Sequence, residues 1–116
     1  KMTIRFILVL TLLLTMATWA QESAVQGKQL FQVHCQVCHG VQGKGDGPAS
    51  VSLKPSPRDL TQRPYKYGCG PGAVVNTLRT GIEGTAMPSF SKTLSEEELW
   101  ALGSYVRSLQ SSCCSQ

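Results

Sequence analysis

The segment Cys35-Gln36-Val37-Cys38-His39 constrains this chain more than any other feature. On a helical turn, two thiols three positions apart reach one ligand from the same side, and an imidazole directly after them points at the same place. Covalent haem attachment asks for this set: each thiol adds to one vinyl group and the histidine binds the iron from below. Two other chemistries use the same thiols. A thiol–disulfide centre expects a βαβ context, whereas the residues around Cys35 read as helical. A zinc site needs two more ligands at close spacing; the only other His is the adjacent His34, and the next Cys is Cys69.

An iron with imidazole below takes Met, His, Cys or water above. Of three Met residues, Met2 and Met16 fall in the N-terminal apolar segment, which leaves Met87. It sits in Gly84-Thr85-Ala86-Met87-Pro88-Ser89-Phe90, where a flexible Gly and a rigid Pro fix a loop without helix or strand geometry. His34 adjoins the tether and is badly placed to reach the opposite face, and Cys69 remains a competitor. A lone Met also serves as a core gap-filler. Thioether ligation favours the reduced iron and leaves no vacant position, which suits electron transfer and argues against an enzyme.

From about residue 27 to 109 the chain resembles a small class I cytochrome c of bacterial type. The resemblance rests on the haem motif continued through Gly40 and the run Gly43-Lys44-Gly45-Asp46-Gly47-Pro48. It extends to Pro55-Ser56-Pro57-Arg58-Asp59-Leu60-Thr61, to the stretch around Met87, and to a closing helix with Leu99, Trp100 and Tyr105. The resemblance implies an all-α fold of three to five helices wrapped around one covalently bound haem c. It implies that the closing helix crosses the N-terminal helix near Gly27 and Phe31. It further implies that the Pro48 carbonyl accepts a hydrogen bond from the ligand His39 and so sets its tautomer. Cys69, Cys113 and Cys114 depart from the family pattern. Those three thiols cannot all pair within one chain; a link from Cys69 to the tail, an intermolecular disulfide and an exposed tail are the options.

The N-terminal segment reads as a leader. Lys1 and Arg5 precede an almost wholly apolar run over residues 6–17, and Ala20 offers a small-residue cleavage site. If retained, residues 4–20 could instead span a membrane as an anchor. Residues 1–20 are thus a signal peptide or anchor, 21–109 a monohaem domain and 110–116 a tail. Without Lys1 and Arg5 the chain keeps nine basic residues against seven acidic ones. That balance gives no reason to invoke nucleic acid. The distribution says more: Lys44, Lys54, Arg58, Arg63, Lys66, Arg79 and Lys92 outnumber Asp46, Asp59 and Glu83 in the middle of the chain. By resemblance these loops surround the haem edge, where basic residues steer acidic partners. Arg58 is the first candidate to pair with a haem propionate.

Ser23 with Gln26 predicts a capping box opening a helix that delivers Cys35. Residues 40–67 show no strand periodicity and make too long a loop unless they wrap something. Residues 73–80 predict a short helix with Val74, Val75 and Leu78 inward, ended by Gly81. Ser95 with Glu98 predicts a second capping box, before Leu99, Leu102, Val106 and Leu109 at helical spacing. Gly103 inside that helix suggests a close approach to the N-terminal helix. Tyr65, Tyr67, Phe90 and Trp100 are candidates for haem packing. The functional expectation is a single-electron carrier with His39 and Met87 as axial ligands and Cys35 and Cys38 as anchors. It would work in a periplasmic respiratory or photosynthetic chain with protein redox partners, and it would not be an enzyme. The alternative is a membrane-anchored cytochrome c subunit of a larger oxidoreductase complex. A haem enzyme, which needs an open or Cys-ligated iron, and a gas sensor, which needs an open one, are the remaining readings.

Overall fold

The computed structural model describes residues 1–62 and 64–110, with only the backbone of residues 15–17. Arg63, Cys113, Cys114 and the Met16 side chain lie outside this description. Among the described residues four α-helices and one short 3-10 turn make up the regular structure, and there is no strand. Helix α1 runs Met2–His34, α2 Gln36–His39, α3 Pro71–Thr80 and α4 Glu96–Ser108. The 3-10 turn is Ser50–Ser52. The all-helical expectation therefore holds.

Helix α1 does not begin at Ser23. It is continuous over 33 residues, because no Pro or Gly interrupts the chain before Gly27 and apolar residues fill the turns. At a rise of 1.5 Å per residue it is about 50 Å long. Its first two dozen residues are exposed wherever their side chains are described, with Phe6 at 72% and Trp19 at 75%. By length and composition this helix can cross a membrane.

From Gly27 onward α1 becomes part of a packed domain. An added Cβ at Gly27 would lie 2.2 Å from the Ala101 carbonyl oxygen, so the backbones of α1 and α4 touch there. One turn later Phe31, 1% exposed, sets its ring 5.3 Å from that of Tyr105. Gly103 serves a different neighbour from the one expected. A Cβ there would meet Val75 Cγ2 at 2.7 Å, so the contact it permits is between α4 and α3. The reason is rotational: on one helix Ala101 and Gly103 point about 200° apart, so the two positions serve different partners.

Local signals set the ends of α3 and α4. Helix α3 starts two residues earlier than expected, because Pro71 occupies its first turn after an extended Gly70. It stops at Gly81, whose φ of 69° few other residues adopt readily. In α4 the Glu98 N–H donates to Ser95 Oγ at 3.2 Å, and the Ser95 N–H donates to Glu98 Oε2 at 2.8 Å. This is the reciprocal cap read from the sequence. Leu99, Leu102 and Val106 of α4 are buried with Val75 and Leu78 of α3. Gln110, which the sequence placed in the tail, is buried and donates from Nε2 to the Gln62 carbonyl at 2.9 Å.

Candidate haem site

A cavity of about 410 Å³ opens between the end of α1, α2, α3 and the loops at 53–68 and 82–90. The irregular segment after the motif thus wraps a space, as its length and lack of periodicity implied. Val74, Leu78, Phe90 and Val106 line part of it with apolar surface, and Cys35, Cys38, His39 and Met87 all border it.

The motif is delivered by a break in the helix. Cys35 leaves helical geometry at φ −119°, and α2 restarts at Gln36. The Cys35 N–H still donates to the Phe31 carbonyl at 2.9 Å, and the His39 N–H donates to Cys35 at 2.8 Å. Both thiols are free. Burial, with Cys38 alongside, pushes the Cys35 thiol up to about 12, so it rests as a neutral thiol.

The His39 ring is oriented by one bond. Its Nδ1 lies 2.9 Å from the Arg58 carbonyl oxygen. A carbonyl only accepts, so the proton sits on Nδ1 and Nε2 keeps its lone pair for a metal. Burial lowers the pKa of this imidazole, and the bond to Arg58 opposes that shift. The expected acceptor, Pro48, is not the one used. Residues 45–49 instead cap the motif helix: Gly45, Gly47 and Ala49 N–H groups donate to the carbonyls of His39, Cys38 and Val37. Those bonds hold Pro48 against the backbone of α2, exposed and off the cavity wall, while the later excursion brings Arg58 to the ring.

Met87 is half-buried against the core. Its loop is held closely: the Met87 N–H donates to Thr85 Oγ1 at 3.1 Å, and the Met87 carbonyl accepts from Ile82 at 3.1 Å. The Phe90 N–H reaches the Leu78 carbonyl at 2.9 Å, tying the loop to α3. Of the competing ligands, Cys69 is disulfide-bonded and absent from the cavity wall. His34 borders the cavity but sets its ring edge-on to Phe90 at 5.8 Å. Among the described residues no three His, Cys, Asp or Glu side chains gather as a zinc site would require.

Tyr65, Tyr67 and Phe90 border the cavity, whereas Trp100 does not and is 46% exposed. The Tyr65 hydroxyl donates to the Leu60 carbonyl at 2.6 Å, and burial pushes its pKa up to about 12. Of the basic residues, Arg58 and Lys66 stand at the cavity, while Arg79 is paired with Glu96 at 2.8 Å. The Arg58 guanidinium binds backbone rather than standing free: Nη2 donates to the carbonyls of Pro64 at 2.7 Å and Gln62 at 3.3 Å. Sequence reasoning missed Leu60, Thr77 and Ile82 as wall residues, and no local pattern marks them.

The residues fit a haem. Two free thiols, an imidazole fixed in the metal-binding tautomer and a thioether border one largely apolar space.

Comparison with known proteins agrees. The family model for cytochrome c oxidase, cbb3-type, subunit III matches residues 22–106. A relative from Azorhizobium caulinodans, the cbb3-type cytochrome c oxidase subunit FixP, is 31% identical over 75% of this chain and 27% of its own length. The subunit CcoP from Rhodobacter capsulatus is 32% identical over 74% of this chain and 29% of its own. The chain therefore spans under a third of the length of these relatives. Among solved structures, a chain of the Kuenenia stuttgartiensis reducing HAO-like protein complex superposes with a TM-score of 0.71. It is 38% identical, covering 77% of this chain and 44% of that one. With the motif, the fold and a family match over most of its length, the chain belongs to the cbb3-type cytochrome c oxidase subunit III family and is an electron-transport c-type cytochrome.

Proposed function

We propose that this chain is a membrane-tethered, monohaem electron relay serving a larger oxidoreductase complex outside the cytoplasmic membrane. The observation that carries the reading is the convergence of Cys35, Cys38, His39 and Met87 on one apolar cavity at the end of a helix long enough to cross a bilayer. Haem c, when bound, supplies a one-electron iron(III)/iron(II) couple. Cys35 and Cys38 would tether it, and the one C-x-x-C-H motif in this sequence supports a single haem here. His39 presents Nε2 because the Arg58 carbonyl holds the proton on Nδ1. Met87 would close the opposite face, favouring the reduced state and excluding other ligands. Val74, Leu78 and Phe90 give the site an apolar wall, which would limit solvent access to a bound haem. With His39 and Met87 filling both axial positions no iron site would remain for a substrate, so the chain would act as a carrier.

The complex-bound reading is preferred to a freely diffusing shuttle for two reasons. The relatives are oxidase subunits by name, and α1 runs without a break from its apolar end to the haem motif. Membrane fractionation of the full chain, expressed with c-type haem attachment machinery, tests this. The expected result is a haem-bearing chain in the membrane fraction, resistant to a high-salt wash, whose intact mass includes residues 2–20. A soluble product whose mass begins near Gln21 would refute the tether.

A further inference from the structure

The proximal histidine depends on a carbonyl in an irregular loop, which by itself has no regular structure to aim it. The loop carries its own restraint. Arg58 supplies the carbonyl that accepts the His39 Nδ1 proton at 2.9 Å. The side chain of that same residue reaches forward, and both hydrogens of Nη2 are spent on the carbonyls of Pro64 at 2.7 Å and Gln62 at 3.3 Å. The far end of the loop is anchored in turn, because the Gln62 carbonyl also accepts from buried Gln110 beyond α4 at 2.9 Å. Within the loop, Asp59 Oδ1 accepts from the Thr61 N–H at 2.9 Å and the Thr61 hydroxyl at 2.6 Å. The Leu60 N–H donates to the Gly43 carbonyl at 2.6 Å.

We propose that the Arg58 side chain is a positioning residue for the proximal ligand: its guanidinium clasps the 58–64 loop so that the Arg58 carbonyl stays on His39 Nδ1. The inference rests on the functional reading above and deepens it. It assigns to Arg58 a task other than pairing with a propionate. A charged donor shared between two carbonyls is stronger than a neutral one, and one nitrogen bonded to both ties Gln62 and Pro64 back to Arg58. A lysine keeps the charge but carries it on a shorter, more flexible stem, so it holds both carbonyls less firmly. The two roles separate in the readout. Weakening a propionate partner would leave exchange of the His39 Nδ1 proton unchanged, whereas weakening a loop clasp would speed it.

The test measures solvent exchange of the His39 Nδ1 proton by NMR in the reduced holo-protein, together with the reduction potential. In Arg58→Lys the exchange should speed up severalfold, because an exposed charge-assisted clasp is weakened. The potential should shift upward, since a weaker Nδ1–H bond makes His39 a poorer donor to oxidised iron. Lys92→Gln removes an exposed cation off the cavity wall, and should leave exchange at the wild-type rate. Unchanged exchange in Arg58→Lys would overturn the proposal, as would an equal acceleration in Lys92→Gln. Covalent haem retained on denaturing electrophoresis in all three proteins shows that the functional reading stands whichever way the exchange result falls.

Discussion

Replacing Gly27 with alanine sets helix propensity against packing, and the two give opposite signs. Gly27 is interior to α1, where alanine is favoured by ~1 kcal/mol. Propensity alone therefore raises stability. The structure argues the reverse. The new Cβ would lie 2.2 Å from the Ala101 carbonyl oxygen, 2.9 Å from its carbon and 3.0 Å from Tyr105 Cβ. Two of these three atoms are backbone and cannot rotate away. Ordinary contact requires α1 to retreat by about 1 Å, and a gap of that size forfeits up to half the dispersion energy of the atoms it separates. Phe31 against Tyr105, one turn along, would lose contact first. Overpacking of this kind costs ~3 kcal/mol at the upper end of its usual range. Net of propensity, the loss is about 2 kcal/mol, or roughly 10 °C in melting temperature for a domain of this size. Thermal unfolding of the holo-protein, followed by circular dichroism, reads this directly. A melting temperature equal to or above wild type would refute the close crossing of α1 and α4.

Two further predictions follow from particular side chains. Met87→Ala should open the iron to carbon monoxide and lower the reduction potential by ~0.1–0.3 V, a fraction of the roughly 0.8 V that axial ligation spans; an unchanged potential and no carbon monoxide binding would place the distal ligand elsewhere. The hydrogen bond from Arg79 holds the Glu96 carboxyl below its usual 4.5, and the bonds from Thr61 hold Asp59 below 3.8. Depressed carboxylates contribute stability above their unfolded values and lose it as pH falls through the folded ones. The urea midpoint should therefore decline below about pH 4.5, and it should decline less steeply in Glu96→Gln.

What could be read from the sequence was what depends on neighbours a few residues apart. The Ser95–Glu98 cap closes within one turn, so three residues of spacing announce it. The end of α3 at Gly81 was legible for the same reason. That the two thiols, the imidazole and Met87 border one cavity was foreshadowed by the close spacing of the first three and by elimination among three methionines for the last. Partner choice was not legible. Ser23 and Gln26 have the form of a cap, but a cap forms only where the preceding residues leave the helix, and here they stay in it. Gly103 signalled a close approach without saying to which helix, because that depends on rotation about α4. Pro48 and Arg58 both lie in irregular chain. Which carbonyl reaches His39 is decided by how the loop folds over the motif, a property of the whole segment.

The central claim is a haem bonded to this polypeptide through Cys35 and Cys38. Acid–organic extraction of the purified chain beside its Cys35→Ala/Cys38→Ala variant, with iron counted in each, tests it most directly. One iron per wild-type chain is expected, with colour that stays with the protein, while the double variant releases its haem. A wild-type chain that is colourless, or a double variant that keeps its haem through extraction, would contradict it.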